Sequence, residues 1–441
     1  MKQINKVDEK LPLRQNLLLG LQHTVIAVLA AIPVPLLIAA NTGLSAEQTS
    51  FFINAIIFTA GLSTLLASLD LIPKTSPLLP MVMGANFSVV PIASTTINNA
   101  SSVGNGFQLI AGATMVVGLC SFLLAPFWIK LQRFFPPLVV GTNLMILGVS
   151  LLPNTFHWLM GDQAYNLNAS MELKPLLLAL AIFVFHILIS KYLKGLLGNL
   201  TILIALIFGM LAAVILGMTD FTPVSEAAWF GLNLPFHYGL PKFDLVTIIS
   251  FLIAMILGMV EISGTAMGIH DIVSKKMNKE QFKRVLKTLG IGTFISGLFN
   301  GVQPTAFVQN VGILDLSKVK SRFAIATSGF MLVLIGLIPK FSSLIAAIPD
   351  PVLGGLGFAI FGVIIGSGIN MLKQVNFEGN QNMLIVGISI GLCMLPSVYP
   401  NFYANFPMII QNIFGSGILA GSLTAITLNT FFNFKEIKES K

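Results

Sequence analysis

The sequence has very little charge. Only 10% of its 441 residues are Asp, Glu, Lys or Arg, whereas 55% are hydrophobic. A soluble protein cannot cover its surface with so few charges, so the composition predicts a polytopic membrane protein. Cysteine is also scarce. Cys120 and Cys393 both lie in apolar runs without metal-ligand spacing, and we interpret them as small buried hydrophobes rather than a disulfide or metal pair.

The apolar runs predict an all-α membrane protein with about fourteen transmembrane segments. The first run is longer than the apolar part of a signal peptide, so we expect it to be retained. The predicted segments lie at roughly 15–40, 47–70, 78–99, 105–129, 135–153, 174–191, 195–217, 244–270, 285–300, 303–317, 321–347, 351–372, 381–399 and 412–434.

The basic residues give an orientation. If the N-terminus is cytoplasmic and the segments alternate, all 25 Lys and Arg residues except Lys174, Lys242 and Lys340 fall on the cytoplasmic side. Such a bias is typical of membrane topology, and it accounts for the net charge of +8 without nucleic acid as a partner. We therefore predict a multi-pass cell-membrane protein with both termini in the cytoplasm.

A faint internal repeat divides the chain. FFPPLVVG at 134–141 resembles IPDPVLGG at 348–355, and GANFSVVP at 84–91 has a counterpart in PTAFVQNVG at 304–312. Both offsets are near half the chain, so each half holds seven segments and the second half enters the membrane upside down. Inverted repeats with one interrupted segment in each half are typical of secondary transporters. Chance similarity among apolar segments rich in Gly and Pro is the alternative explanation.

The stretch from Asn300 to Lys318 is too polar and too broken for an ordinary membrane helix. Gly301, Pro304 and Gly312 interrupt it. Irregular backbone at membrane depth is tolerated only inside protein or around a wet cavity. We therefore predict that this stretch forms half of a substrate site.

Glu261 is the carboxylate that lies in the middle of an apolar run, between Asp244 and His270. A charge at bilayer depth costs of order 2.5–3.5 kcal/mol on insertion scales, so such a residue is a functional candidate. It could carry a proton through a transport cycle or accept a hydrogen bond from a substrate N–H. The structural alternative is a neutral carboxyl bonded to a neighbouring helix.

Polar and aromatic residues of the broken segments suit a flat heterocycle. Gln309 offers a donor beside an acceptor, which matches an N–H next to a C=O on a ring edge. Phe87 and Phe307 could sandwich the ring, although either is more often a core residue. Free N–H groups at the starts of half-helices would make the backbone at Phe87, Val308 and Gln309 a binding element.

His23 and Gln22 lie near the middle of the first predicted segment. From their spacing alone, His23 is better explained by a hydrogen bond between helices than by a substrate contact.

Several motifs in order resemble the nucleobase–ascorbate transporter family, which includes the xanthine and uracil permeases. QNVGILDLSK at 309–318 resembles the family signature, with Ser317 where Thr is usual, and FNGVQPTAFVQN precedes it. The Gln22–His23 pair, Glu261 with Gly264, and IPDPVLGG match further family motifs. The resemblance covers nearly the whole chain.

The resemblance implies fourteen segments in two inverted repeats of seven, with short strands in segments 3 and 10. A core domain would comprise 1–133 (segments 1–4) and 244–347 (segments 8–11). A gate domain would comprise 134–243 (segments 5–7) and 348–441 (segments 12–14). Members are proton- or sodium-coupled symporters and often dimers, so the resemblance implies a homodimer and no cofactor beyond a coupling ion, H⁺ or Na⁺.

The resemblance also assigns roles to the site residues. Substrate binding is implied for Glu261, Gln309, Phe87, Phe307 and Val308, with Glu261 also carrying the proton. Support of the site is implied for His23, Gln22, Asn86, Asn310 and Thr265.

Two positions depart from the family pattern. Thr265 stands where some uracil carriers have His and some xanthine carriers have Asp, and Leu289 stands where many members have Asp or Asn. Gln at 309, rather than Glu, resembles the purine-selective members.

We therefore predict a transporter, not an enzyme, that imports an oxopurine such as xanthine or urate by proton symport with alternating access. A carrier for uracil or another nucleobase is the first alternative. A sulfate-transporter-type anion carrier shares the architecture, although a lone carboxylate would repel anions. A channel or a membrane-embedded enzyme is a third alternative. The sequence shows neither the paired carboxylates nor the activated nucleophile that an enzyme would need.

Overall fold

The structure is a computed structural model that describes residues 6–160, 172–198, 200–273, 277–317 and 320–434. It is mostly helical, and its contacts divide the chain into two compact units. The first unit comprises Met1–Ile129 and Phe221–Ala347, and the second comprises Lys130–Asp220 and Ile348–Lys441. The contacts group 221–243 with the first unit, whereas our sequence boundary between gate and core lay at 243. The core and gate roles themselves stay a prediction.

The first unit contains the candidate site. Its α-helices are α1 (Leu13–Ala31), α2 (Pro33–Thr42), α3 (Ala46–Ser68), α4 (Val90–Asn98), α5 (Val103–Leu131), α10 (Thr222–Glu226), α11 (Leu245–Ile272), α12 (Lys279–Leu298), α13 (Val308–Ser317), α14 (Arg322–Ile335) and α15 (Pro339–Ala346), with α5 extending two residues into the second unit.

Over its described residues the second unit contains helices and their connections but no β-strand. Its α-helices are α6 (Pro137–Met160), α7 (Leu173–Tyr192), α8 (Gly195–Gly198), α9 (Thr201–Ile215), α16 (Asp350–Leu372), α17 (Gln381–Val398), α18 (Met408–Phe414) and α19 (Gly417–Phe432). Within this unit α6 packs along α16, and α17 packs along α19. The Cys393 thiol lies 2.9 Å from the Ser150 hydroxyl, and both cysteines are free.

Eight helices of the described chain are long and apolar enough to cross a membrane, or nine if α14 and α15, which meet at 83°, form one bent span. The protein is therefore a multi-pass membrane protein by length and composition of its helices. The count of fourteen stays a prediction, because several predicted segments correspond to short, bent or interrupted helices. The run at 195–217, for example, contains the short helices α8 and α9.

Two short strands lie in the broken segments, as the family resemblance implied. Strand β1 (Met83–Ala85) pairs antiparallel with β2 (Pro304–Ala306), with Gly84 opposite Thr305. Two backbone hydrogen bonds extend the pairing at its ends, from Asn86 N–H to the Gln303 carbonyl and from Phe307 N–H to the Val82 carbonyl, both 3.0 Å. Since β1 leads into α4 and β2 into α13, the two interrupted segments meet through their strands.

Close packing of α3 against α14 holds the first unit together, and it depends on Gly61. A Cβ at Gly61 would lie 2.6 Å from the Val333 nitrogen and 2.7 Å from the Gly329 carbonyl oxygen. We expect Gly61→Ala to destabilise the purified protein by about 1–3 kcal/mol. The added methyl group would clash with backbone atoms of α14, which cannot rotate away as a side chain can.

A lowered melting temperature in detergent would show this effect. Gly362→Ala is the matched control, since a Cβ at Gly362 on α16 meets nothing within 4 Å. Equal melting temperatures for the two variants would contradict the packing argument.

Candidate functional site

The helix α11 carries Glu261 into the first unit. The helix begins at Asp244, whose side chain accepts a hydrogen bond from the Thr247 N–H at 2.8 Å. Gly258 lies three residues before Glu261, and positions three apart share one helix face. Thr265, one turn further on, donates its hydroxyl to the Glu261 backbone carbonyl at 3.0 Å. Thr265 is thus bonded within its own helix, and the Glu261 carboxyl remains available to neighbouring elements.

One face of the two-stranded sheet lies against α11. Because side chains alternate along a strand and paired residues share a face, Asn86, Gln303 and Thr305 point the same way. A Cβ at Gly258 would lie 2.5 Å from Gln303 Nε2 and 2.8 Å from Asn86 Nδ2. The Thr305 hydroxyl lies beside the Glu261 carboxyl. We call Asn86, Gln303 and Thr305 the polar sheet face.

The two predicted aromatic residues are both buried near the strands. Phe307 follows β2, and its ring occupies the space over Gly84, where a Cβ would lie 2.0 Å from a ring carbon. Phe87 follows β1 and begins a short 3-10 turn. The Asn86 side chain caps that turn by accepting the Ser88 N–H at 2.8 Å. Each strand therefore delivers one phenylalanine to its carboxyl end.

His23 on α1 contacts the second broken segment. Its Nδ1 lies 2.8 Å from Asn310 Oδ1 on α13, and each residue is only 2% exposed. Since the amide oxygen accepts, His23 Nδ1 carries the proton and Nε2 is left as an acceptor. The interpretation of His23 as a bond between helices is confirmed, and its partner is another predicted site residue. The adjacent Gln22 is half-buried, and its Nε2 has no partner among the described residues.

We expect His23 and Asn310 to act as a pair. Single substitutions His23→Ala and Asn310→Ala should each raise the KM for substrate uptake, because α1 and α13 lose their shared bond. The double variant should have a KM no higher than that of the more impaired single variant. The coupling free energy between the two residues should be about 1 kcal/mol. A double-mutant cycle on uptake KM measures this coupling, and strictly additive effects would show that the bond does not organise the site.

Two predicted residues are described only by their backbone. Val308 and Gln309 lie in the first turn of α13, but their side chains lie outside the described part of the structure. The predicted role of Gln309 as a reader of a ring edge therefore stays a prediction.

Gln303 was not among the residues predicted for the site. Its side chain is fully buried, and among the described residues neither amide atom has a hydrogen-bond partner. A polar residue directly before Pro304 in a broken membrane segment was the available signal. Leu289, at a departure from the family pattern, is fully buried in α12. Over the described ranges, no cluster of three His, Cys, Asp or Glu residues is arranged to hold a metal ion.

The whole chain was compared with protein families and with known proteins. The Xan_ur_permease model, described as a permease family, matches residues 14–402. The chain is 33% identical over 433 residues to the uric acid transporter UacT of Escherichia coli K12, covering 97% of this chain and 88% of that protein. It is 36% identical over 424 residues to the uric acid permease PucK of Bacillus subtilis, covering 96% of each.

A solved structure shares the fold. The transmembrane domain of the cyanobacterial bicarbonate transporter BicA superposes with a TM-score of 0.67 at 19% identity, covering 95% of this chain and all of that domain. At that identity the likeness concerns the fold alone. The family match and the two permease relatives, in contrast, extend over nearly all of this sequence. The chain therefore belongs to the xanthine/uracil permease family, the nucleobase–ascorbate transporters that its motifs resemble.

Proposed function

We propose that this protein transports a nucleobase across the cell membrane, and that its substrate is an oxopurine such as urate or xanthine. The relatives support a purine, since two with over 30% identity are named as uric acid carriers. The observation that carries the proposal is the placement of Glu261. The carboxyl of this mid-helix residue lies beside Thr305 on β2, the strand that Phe307 follows.

The chemistry of the site suits an oxopurine. A purine N–H can donate to Glu261, while a neighbouring ring carbonyl can accept from an amide of Gln309 or from the backbone at the start of α13. Phe87, which follows β1, and Phe307, which follows β2, each offer an apolar ring face. Two such faces favour a flat substrate. Asn86 supports the strands by capping the turn after β1, and the His23–Asn310 pair supports α13.

We further propose that Glu261 couples transport to a proton. A carboxyl at membrane depth has a lower free-energy cost in its neutral form than in its charged form. Protonation would therefore accompany substrate binding, and deprotonation would reset the empty carrier. Sodium coupling is the alternative, and uptake in sodium-free buffer at several pH values separates the two.

The proposed architecture is that of an alternating-access carrier. It has fourteen segments in two inverted repeats, core segments 1–4 and 8–11, and gate segments 5–7 and 12–14. The internal repeat of the sequence and the fold likeness to a solved transporter support it. We also propose cytoplasmic termini, from the distribution of basic residues, and a homodimer, from the family. The protein would act without a cofactor and would not be an enzyme.

Uptake in cells that lack their own base carriers tests the function. Radiolabelled xanthine and urate should accumulate, and unlabelled hypoxanthine, guanine and uracil should be compared as competitors. Stronger competition by uracil than by any purine would assign the uracil alternative. Uptake of sulfate or bicarbonate without any nucleobase would overturn the proposal in favour of an anion carrier.

Gln309→Glu is expected to change selectivity rather than folding. Glutamate retains the acceptor but removes the amide donor, so competition should shift between purines and uracil by about tenfold, the equivalent of one hydrogen bond to a charged group. Inhibition constants for each base against labelled xanthine measure the shift. An unchanged competition order would show that Gln309 does not face the ring edge.

A further inference from the structure

The polar sheet face holds more hydrogen-bonding capacity than the described protein uses. Asn86, Gln303 and Thr305 are each at most 1% exposed. Among the described residues, no partner is found for Asn86 Nδ2, for either amide atom of Gln303, or for the Thr305 hydroxyl in ordinary hydrogen-bond geometry. Buried polar atoms without partners are strongly disfavoured, so this concentration on one surface requires an explanation.

The register of the strands explains why these atoms meet. Asn86 pairs with Gln303 through the backbone, and Thr305 lies two residues along the same strand on the same face. Opposite them, α11 presents Gly258 rather than a larger side chain, so the two amide nitrogens approach the helix at this point. Glu261 is one helical turn further on, beside Thr305. The unpaired atoms thus lie along one face of the sheet, with the Glu261 carboxyl at its Thr305 end.

The chemistry of this face selects its occupant. The Asn86 Oδ1 is held by the Ser88 N–H, so Nδ2 is the atom that faces Gly258. Asn86 Nδ2, a donor that faces Gly258, disfavours a cation, which needs oxygen ligands. An anion would be repelled by the nearby carboxylate. Water satisfies the Asn86 donor and can donate in turn to Gln303 Oε1, Thr305 and Glu261.

We propose that the polar sheet face and α11 enclose a row of bound waters that runs from Gly258 to Glu261. The waters hydrate the Glu261 carboxylate and pass protons to it. When an excess proton enters the row, each water accepts one proton and donates one. Glu261 becomes a neutral acid, and every water is restored. Gln303 and Thr305 are positioning residues for this row, and their role in proton delivery rests on the proposed symport.

Matched variants of Thr305 test the transport consequence. Thr305→Val keeps the shape of the side chain and removes the hydroxyl, whereas Thr305→Ser keeps the hydroxyl. We expect Thr305→Val and Gln303→Met to lower the maximal rate of proton-driven uptake about tenfold with KM changed less than about twofold, because proton delivery slows while substrate binding is kept. Thr305→Ser should retain nearly the wild-type rate.

Gln108→Met is the control for loss of a half-buried, hydrogen-bonded amide elsewhere in the first unit, since Gln108 Nε2 donates to the Tyr238 carbonyl at 2.7 Å. Its uptake should match wild type. Equal rates for Thr305→Val and Thr305→Ser, or a change in KM alone, would overturn the role of the row in proton delivery.

An experimental density map of the wild-type protein tests the row itself, whatever the substrate proves to be. At about 2 Å resolution, waters should appear within hydrogen-bond distance of Asn86 Nδ2, Gln303 and Thr305. A map in which these side chains pair with one another or with Gln309, or in which a metal ion lies among them, would overturn the proposal. If the map shows these waters but the protein takes up no nucleobase, the proposed water row would be supported and the proposed function would be overturned.

Discussion

Glu261→Gln is expected to abolish the accumulation of substrate against a gradient. Glutamine keeps nearly the same size and hydrogen-bonding reach but cannot take up a proton, so the proposed proton coupling would be lost. The rate of proton-driven uptake should fall by about 100-fold, a typical effect of removing an essential acid–base group. Initial rates of labelled xanthine uptake across external pH 5 to 8 measure this, and wild-type uptake should increase as external pH falls.

The remaining activity of the variant is equally informative. Exchange of internal for external substrate needs no net proton movement, so Glu261→Gln should still bind substrate and support some exchange. Glu378→Gln, in the exposed connection before α17, is the matched control and should behave as wild type. Full, pH-dependent uptake by Glu261→Gln would exclude this residue as the proton carrier.

Gly84→Ala is expected to have the second large effect. The added methyl would lie 2.0 and 2.1 Å from two carbons of the Phe307 ring, which is far inside van der Waals contact. Either the ring leaves its position or β1 separates from β2, and overpacking of this kind costs about 1–3 kcal/mol or more. We expect uptake to be lost and the melting temperature of the purified protein to fall.

The double variant Gly84→Ala/Phe307→Leu separates the two consequences. A smaller side chain at 307 should relieve the clash and restore the melting temperature, whereas uptake should stay low because the ring is missing. Phe307→Leu alone provides the reference for loss of the ring. A Gly84→Ala variant with normal uptake and normal stability would show that the ring lies elsewhere in the functional protein.

Much of the site was predictable because its signals are local. The charge of Glu261 within an apolar run, and the breaks at Gly301 and Pro304, are visible without any tertiary information. The pairing of Asn86 with Gln303 was not visible, since it depends on the register between strands from opposite halves of the chain. The His23–Asn310 bond was half predicted: the spacing indicated a bond between helices but not its partner.

The number of membrane segments shows the same limit. Hydropathy identifies apolar runs, but it does not show where a run bends or stops short of a span. α1 and α2 continue past Pro33 as one apolar span, Leu13–Thr42, whereas α14 meets α15 at 83° within the run at 321–347. Local composition cannot predict such geometry, because tertiary packing decides which breaks become bends.

The sequence by itself determined the membrane class, the family and the candidate carboxyl, since composition, motif and the cost of a buried charge are properties of single segments. Only the tertiary structure decided which polar groups share a surface. Strand register placed Asn86, Gln303 and Thr305 on one face, and the absence of a side chain at Gly258 let α11 approach the two amides. Those contacts join residues far apart in the chain, and long-range packing sets them.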